Sequence, residues 1–206
     1  MERVLRHTGL YTRPHEQRNG QLWDVISDAP MATTFANSRF LSPWLSNSRK
    51  WILFCDFSDM LFLADPAELF EVADDKYAVM VVKGRHEPRE SLKMDGQIQT
   101  RYERKNWSSV ILWNCQHPGT VRLTLEMVNS LPGRDLHRFS WLEDDEIGEL
   151  PPVWNYLVGV DGHLKGAKLV HFTAGTPETG VNDEPWAGIW RQELAIMDAT
   201  RARLVA

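Results

Sequence analysis

A chain of 206 residues is long enough to enclose a sizeable apolar core in one domain without disulfide staples. With 23 Lys+Arg against 28 Asp+Glu, a formal net charge of -5 and 43% apolar residues, the composition excludes a disordered chain and a bulk nucleic-acid binder. The two cysteines, Cys55 and Cys115, lie in or beside apolar runs and read as reduced core thiols; the apolar runs are far too short for a bilayer span, so a cytoplasmic protein without a membrane span is expected.

Residues 1–30 are polar and turn-rich, with Arg13-Pro14, Asn19-Gly20 and Ala29-Pro30 as interruptions, and read as an irregular N-terminal arm. From Met31, Ala32, Ala36, Phe40 and Leu41 recur at helical spacing, with Ser27 or Asp28 able to cap the start, and the helix is expected to end or kink at Ser42-Pro43. The uninterrupted apolar run Trp51 to Cys55 has the pattern of a strand buried on both faces, which implies a parallel sheet. After Asp56-Phe57-Ser58-Asp59 a second apolar run, Met60 to Leu63, leads into Asp65-Pro66-Ala67-Glu68, where an N-cap Asp, an N1 Pro and a third-position Glu predict a helix from Pro66 to about Ala73.

Tyr77 to Val82 is a further buried strand, and the charged stretch from Lys83 to Asn106 is a long surface excursion. A strand over Ser109 to Trp113 precedes a helix from about Thr120 to Leu131, closed by Pro132-Gly133. Ala167 to Phe172 supplies one more strand, and residues 176–206 form a tail that is helical from about Glu184 to Leu204. No internal repeat is present. Alternating strands and helices predict a single α/β domain over residues 1–206, with a mainly parallel central sheet, flanking helices and ligands gathered at the carboxyl ends of the strands.

Asp56 and Asp59 stand directly after a buried strand, where paired carboxylates offer a hard divalent cation oxygen donors and leave positions open for diphosphate oxygens. The same acids also suit a solvated turn. His171 ends the last strand and offers a nitrogen donor or a satisfied structural imidazole. Arg39, at the edge of the apolar arc, reads either as a contact for a phosphate or sugar hydroxyl or as a snorkelling surface arginine. The acidic run Glu143 to Glu146 is a solvated face or contains a catalytic carboxylate. Nine tryptophans make a rigid aromatic core or sugar platforms; Trp113-Asn114 and Trp154-Asn155 fit either role. Phosphate-loop, dinucleotide-binding, esterase-elbow and zinc-finger patterns are all missing from the sequence.

These features follow one another in a recognisable order: Thr34 to Phe40, Leu53 to Met60, Ala64 to Phe70, Asn106 to Asn114, Leu150 to Asn155 and Val170 to Thr173. The order resembles GT-A glycosyltransferases of the glycogenin and lipopolysaccharide galactosyltransferase type. It is also similar to bacterial and phage glycosyltransferase-like proteins carrying runs found here at Asp95 to Thr100, Arg104 to Ser109 and Glu146 to Pro151. The resemblance implies a GT-A-like α/β fold, N-terminally shortened by the first strand-helix unit, and transfer of a hexose from a nucleotide-diphosphate sugar donor to a glycan or other hydroxyl acceptor. It implies Mn2+ or Mg2+ held by Asp56, Asp59 and His171, donor contacts from Ser38, Arg39, Asp95, Gln97 and Asn155, and Asp144 as the catalytic carboxylate. The usual acidic motif has one residue between its acids, whereas Phe57 and Ser58 both intervene here, so either the turn is longer or Asp59 alone keeps the ligand role. A catalytically silent sugar- or partner-binding module is the alternative, a phosphohydrolase using the same acids ranks lower, and a homodimer is open to a sheet with an uncovered edge.

Overall fold

The computed structural model describes residues 2–47, 49–57, 59–84, 104, 107–161, 165–179 and 185–205. In chain order the elements are α1 (Glu2–His7), β1 (His15–Arg18), β2 (Gln21–Asp24), β3 (Ala29–Pro30), a 3-10 helix (Ser38–Leu45), β4 (Trp51–Cys55), β5 (Met60–Phe62), α2 (Glu68–Glu71) and β6 (Val79–Val81). They continue with β7 (Val110–Asn114), α3 (Pro118–Val121), α4 (Leu125–Ser130), α5 (Gly133–His137), β8 (Ile147–Glu149), β9 (Tyr156–Leu157), β10 (Leu169–His171) and α6 (Trp186–Val205). The chain divides into two compact units, residues 1–55 with 67–151 and residues 56–66 with 152–206. Among the described residues no helix is long and apolar enough to cross a membrane.

The larger unit is built on a four-stranded sheet in the order β4-β7-β6-β8. Every residue of β7 is buried, and the pairs β4–β7 and β6–β7 are antiparallel, with only β6–β8 parallel. The expected α/β class holds, but the expected mainly parallel sheet does not. β4, expected to be buried on both faces, is an edge strand that is half-buried along its whole length, whereas the central β7 and β6 are buried throughout; a covered strand leaves the same apolar run whichever way its neighbours run. The core joins Phe40, Leu41, Val79, Ile111 and Trp113 to Val128, Leu136 and Phe139. Phe40, Trp113, Phe139 and Trp141 form its aromatic centre, with the Trp113 and Trp141 rings stacked 6.4 Å apart. Cys55 and Cys115 are half-buried, and burial pushes the Cys115 thiol up.

Residues 2–30 hold α1 and three paired strands rather than an irregular arm. Asn19 and Gly20, with φ of 52° and 80°, make the two-residue left-handed turn that joins β1 to β2, and β3 adds to β2 as an antiparallel third strand. Arg13 anchors this segment through a buried bidentate pair with Asp24 and bonds to the carbonyls of Val128 and Leu131.

The expected helix from Ala32 to Leu41 is instead a set of turns followed by the 3-10 helix, which runs through Pro43. In an α-helix the Pro43 nitrogen would have to donate to the Arg39 carbonyl, which it cannot do; the Ser42 hydroxyl donates to that carbonyl at 2.7 Å. The helix predicted from Pro66 begins two residues later, at Glu68. The helix predicted over Thr120 to Leu131 is split into α3 and α4, because Thr124 adopts extended backbone and its hydroxyl accepts from the Met127 amide at 3.1 Å, capping a new start.

The smaller unit is a three-stranded sheet in the order β5-β10-β9, with β5 antiparallel and β9 parallel to β10. Leu61, Tyr156, Val158, Val170 and Phe172 form its core, against which Trp186, Ile189 and Trp190 of α6 pack. Most of the expected excursion from Lys83 to Asn106 lies outside the described residues.

Candidate functional site

The strand register of the smaller unit brings three distant polar side chains together. Asp59 immediately precedes β5, His171 is the last residue of β10, and Asn155 follows a short 3-10 helix (Pro152–Trp154) and immediately precedes β9. His171 lies opposite Met60 on one side and Leu157 on the other. The Phe172 amide donates to the Asp59 carbonyl at 2.8 Å and the Val158 amide to the His171 carbonyl at 3.0 Å, so the ladder continues past the strand ends and fixes these residues. A one-residue slip would turn the side chain of His171 to the other face.

His171 Nε2 lies 3.3 Å from Asp59 Oδ2, with 6% and 33% of the respective side chains exposed. The imidazole is therefore enclosed, while the carboxylate reaches solvent. On its other side His171 Nδ1 lies 3.1 Å from Asn155 Oδ1. An amide oxygen only accepts, so Nδ1 donates to Asn155 and Nε2 is the ring nitrogen that faces the carboxylate.

These donors fit a divalent cation in kind and in spacing. Carboxylate oxygen and imidazole nitrogen both suit Mn2+, and two donors at cis positions of an octahedral ion with bonds of about 2.1 Å stand about 3 Å apart. Asp59 and His171 are thus brought together. Asp56 begins the same stretch directly after β4, but among the described residues no group of three or more His, Cys, Asp or Glu side chains converges. Ser58 lies outside the described residues.

The other sequence-derived residues have different surroundings. Arg39 is buried in the larger unit, where Nε donates to the Ala36 carbonyl and a terminal nitrogen to the Ser108 carbonyl, both at 2.9 Å. Its guanidinium lies over the rings of Phe54 and Phe35 at 5.1 and 5.7 Å. Ser38 opens the 3-10 helix and is buried. Asp144 opens another short 3-10 helix (Asp144–Glu146), has a side chain that is 91% exposed, and bonds to Arg104. Glu146 in the same run is held by Arg122 and by the Glu143 amide, so part of the acidic stretch is structural. Asp95 and Gln97 lie outside the described residues.

Trp113 and Trp154 are buried, which puts both in the core rather than on a sugar platform. Two contacts had no legible signal in the sequence. One is the Asn155–His171 bond, and the other is a buried pair in the larger unit, Ser108 Oγ and His137 Nδ1 at 2.6 Å.

No family model matches the sequence. By structure the chain is similar to the WbbM bifunctional glycosyltransferase, with TM-score 0.50 and 16% identity over 82% of this chain, although it spans only 39% of the WbbM chain. It is similar to an active-site mutant of LgtC with TM-score 0.50 and 13% identity, covering 81% of this chain and 70% of LgtC. At such identities the likeness establishes the fold, the mixed α/β GT-A arrangement of glycosyltransferases. By sequence it is 44% identical over 196 residues to Protein CDI of Arabidopsis thaliana, covering 92% of this chain and 71% of the plant protein. An identity of this level over nearly the whole of one chain and most of the other means that the protein belongs to the family of Protein CDI.

Proposed function

We propose that the chain is a metal-dependent glycosyltransferase that moves a hexose from a nucleotide-diphosphate sugar to an acceptor hydroxyl. The observation that carries this reading is the Asp59–His171 pair, an oxygen and a nitrogen donor 3.3 Å apart at the ends of adjacent strands. A bound Mn2+ or Mg2+ supplies positive charge beside the diphosphate as it leaves the sugar. The residues of the chain do the positioning. The β5–β10 ladder holds the two donors in register, the enclosed imidazole excludes water from one side, and the partly exposed carboxylate leaves the other side open to a ligand. The donor-binding roles of Ser38, Arg39, Asp95 and Gln97, the ligand role of Asp56 and the catalytic role of Asp144 belong to the same proposal on the sequence resemblance.

A second reading, a sugar- or partner-binding module without turnover, draws on the burial of Arg39 and on the convergence of two donors rather than three among the described residues. The test is thermal unfolding with uridine or guanosine diphosphate in the presence and absence of Mn2+, followed by a screen of sugar nucleotides for hydrolysis. A ligand held at a hundred times its dissociation constant stabilises the folded state by about 2.7 kcal/mol. The transferase reading expects a Mn2+-dependent rise in Tm that Asp59→Ala abolishes, together with turnover of at least one donor. A rise without turnover of any donor favours the binding module. A rise that persists in Asp59→Ala, or no rise with either nucleotide, removes the basis of the site.

A further inference from the structure

We propose that Asn155 is a positioning residue that fixes the tautomer of His171 so that Nε2 is presented as a donor toward Asp59. This role rests on the reading of Asp59 and His171 as cation ligands and goes beyond it. The family resemblance implies Asn155 as a donor contact; in the structure its Oδ1 meets His171 Nδ1.

Three observations carry the inference. Asn155 is buried, with 4% of its surface exposed, so its amide is enclosed beside the imidazole. Its Oδ1 lies 3.1 Å from His171 Nδ1, and because this oxygen accepts, the ring proton must sit on Nδ1. Nε2, the other ring nitrogen, then faces Asp59 Oδ2 at 3.3 Å. A cation held by Nε2 would leave the ring proton on Nδ1, and Asn155 Oδ1 is the acceptor placed for it. The arrangement is that of a metal-ligating histidine whose second nitrogen is tied to a fixed acceptor, which sets both ring orientation and basicity.

Backbone geometry keeps the acceptor in place. The Asn155 amide donates to the Pro152 carbonyl at 3.2 Å, closing the short 3-10 helix, and β9 then pairs with β10 in parallel, Tyr156 opposite Val170 and Leu157 opposite His171. The Leu157 amide donates to Asp161 Oδ2 at 2.8 Å, which fixes the far end of the segment. Asn155 is therefore held by its own backbone.

The experiment uses MnCl2 alone, with free Mn2+ read by electron paramagnetic resonance, on the unmodified chain, Asn155→Leu and Asn155→Asp. A long-range proton–nitrogen NMR spectrum of the metal-free chain at pH 8 accompanies it, with the His171 signals assigned by loss in His171→Gln. Loss of an outer acceptor of this kind weakens metal binding about 10- to 100-fold. The expected result is such a loss in Asn155→Leu, recovery in Asn155→Asp, which retains an acceptor oxygen, and a His171 proton on Nδ1 in the unmodified chain. Affinity unchanged within about twofold in a folded Asn155→Leu overturns the role of Asn155 alone. A proton on His171 Nε2 in the unmodified chain overturns it as well, and this readout does not depend on whether the leucine variant folds. Failure of the unmodified chain to bind Mn2+ overturns the proposed function itself, a result distinct from either of the others.

Discussion

His137 is a side chain whose ionisation the fold opposes, and replacing it with glutamine should flatten the dependence of stability on pH. Burial, aided by the charges of Arg39 and Arg13, pushes its pKa from 6.5 down to about 3. The Phe40 ring packs edge-on at 5.2 Å, and the imidazole Nδ1 lies 2.6 Å from the Ser108 hydroxyl. Between pH 6.5 and about pH 3 the unfolded chain holds a proton at this residue that the folded chain does not, so stability falls as pH falls through that window. Each pH unit inside the window is about 1.4 kcal/mol, so a drop to pH 5 costs about 2 kcal/mol. Urea unfolding at pH 7.5, 6 and 5 measures the loss. The unmodified chain should lose about 2 kcal/mol more than His137→Gln between the ends of that series. Burial also lowers the pKa of His15, with the Arg6 charge adding to it, but His15 is present in both chains and cancels in the comparison. Parallel pH profiles for the two chains, agreeing within about 0.5 kcal/mol, would refute the assignment of acid sensitivity to His137.

Two further predictions concern stability. Asp24→Asn leaves the guanidinium of Arg13 without its charge partner in a site where the two side chains are 0% and 1% exposed, and should cost about 3–5 kcal/mol in urea unfolding; the Arg13→Met/Asp24→Leu double variant should recover much of that loss. Gly148→Ala places a Cβ against the Tyr77 ring and 2.8 Å from Met80 Cγ, and should lower stability by about 1–3 kcal/mol, whereas Gly84→Ala, with nothing within 4 Å, should change it by less than about 0.5 kcal/mol.

Part of the site was legible because its residues sit at the ends of strands that announce themselves. The apolar run Trp51–Cys55 forms β4 over those same residues, and β5, β7 and β10 fall within the runs predicted for them or one residue beyond, so Asp59 and His171 could be placed at strand ends from the sequence alone. The role of Arg39 was not legible. A residue at the edge of an apolar arc has the same pattern whether it snorkels to solvent, meets a ligand or donates to carbonyls of its own unit, as Arg39 does to Ala36 and Ser108.

Local sequence determined the features whose energies are local: apolar runs that favour extended backbone, the Asn19-Gly20 turn that tolerates positive φ, and the Pro132-Gly133 stop after α4. Strand direction and the partners of Asp59, His171 and Arg13 depended on groups distant along the chain. Burial on both faces follows from cover, and cover by either strand direction leaves the same sequence pattern. The contact between Asp59 and His171 and the one between His171 and Asn155 exist because β5 and β9 flank β10 in one fixed register, with Leu61, Tyr156, Val170 and Phe172, which come from distant parts of the chain, packed in one core.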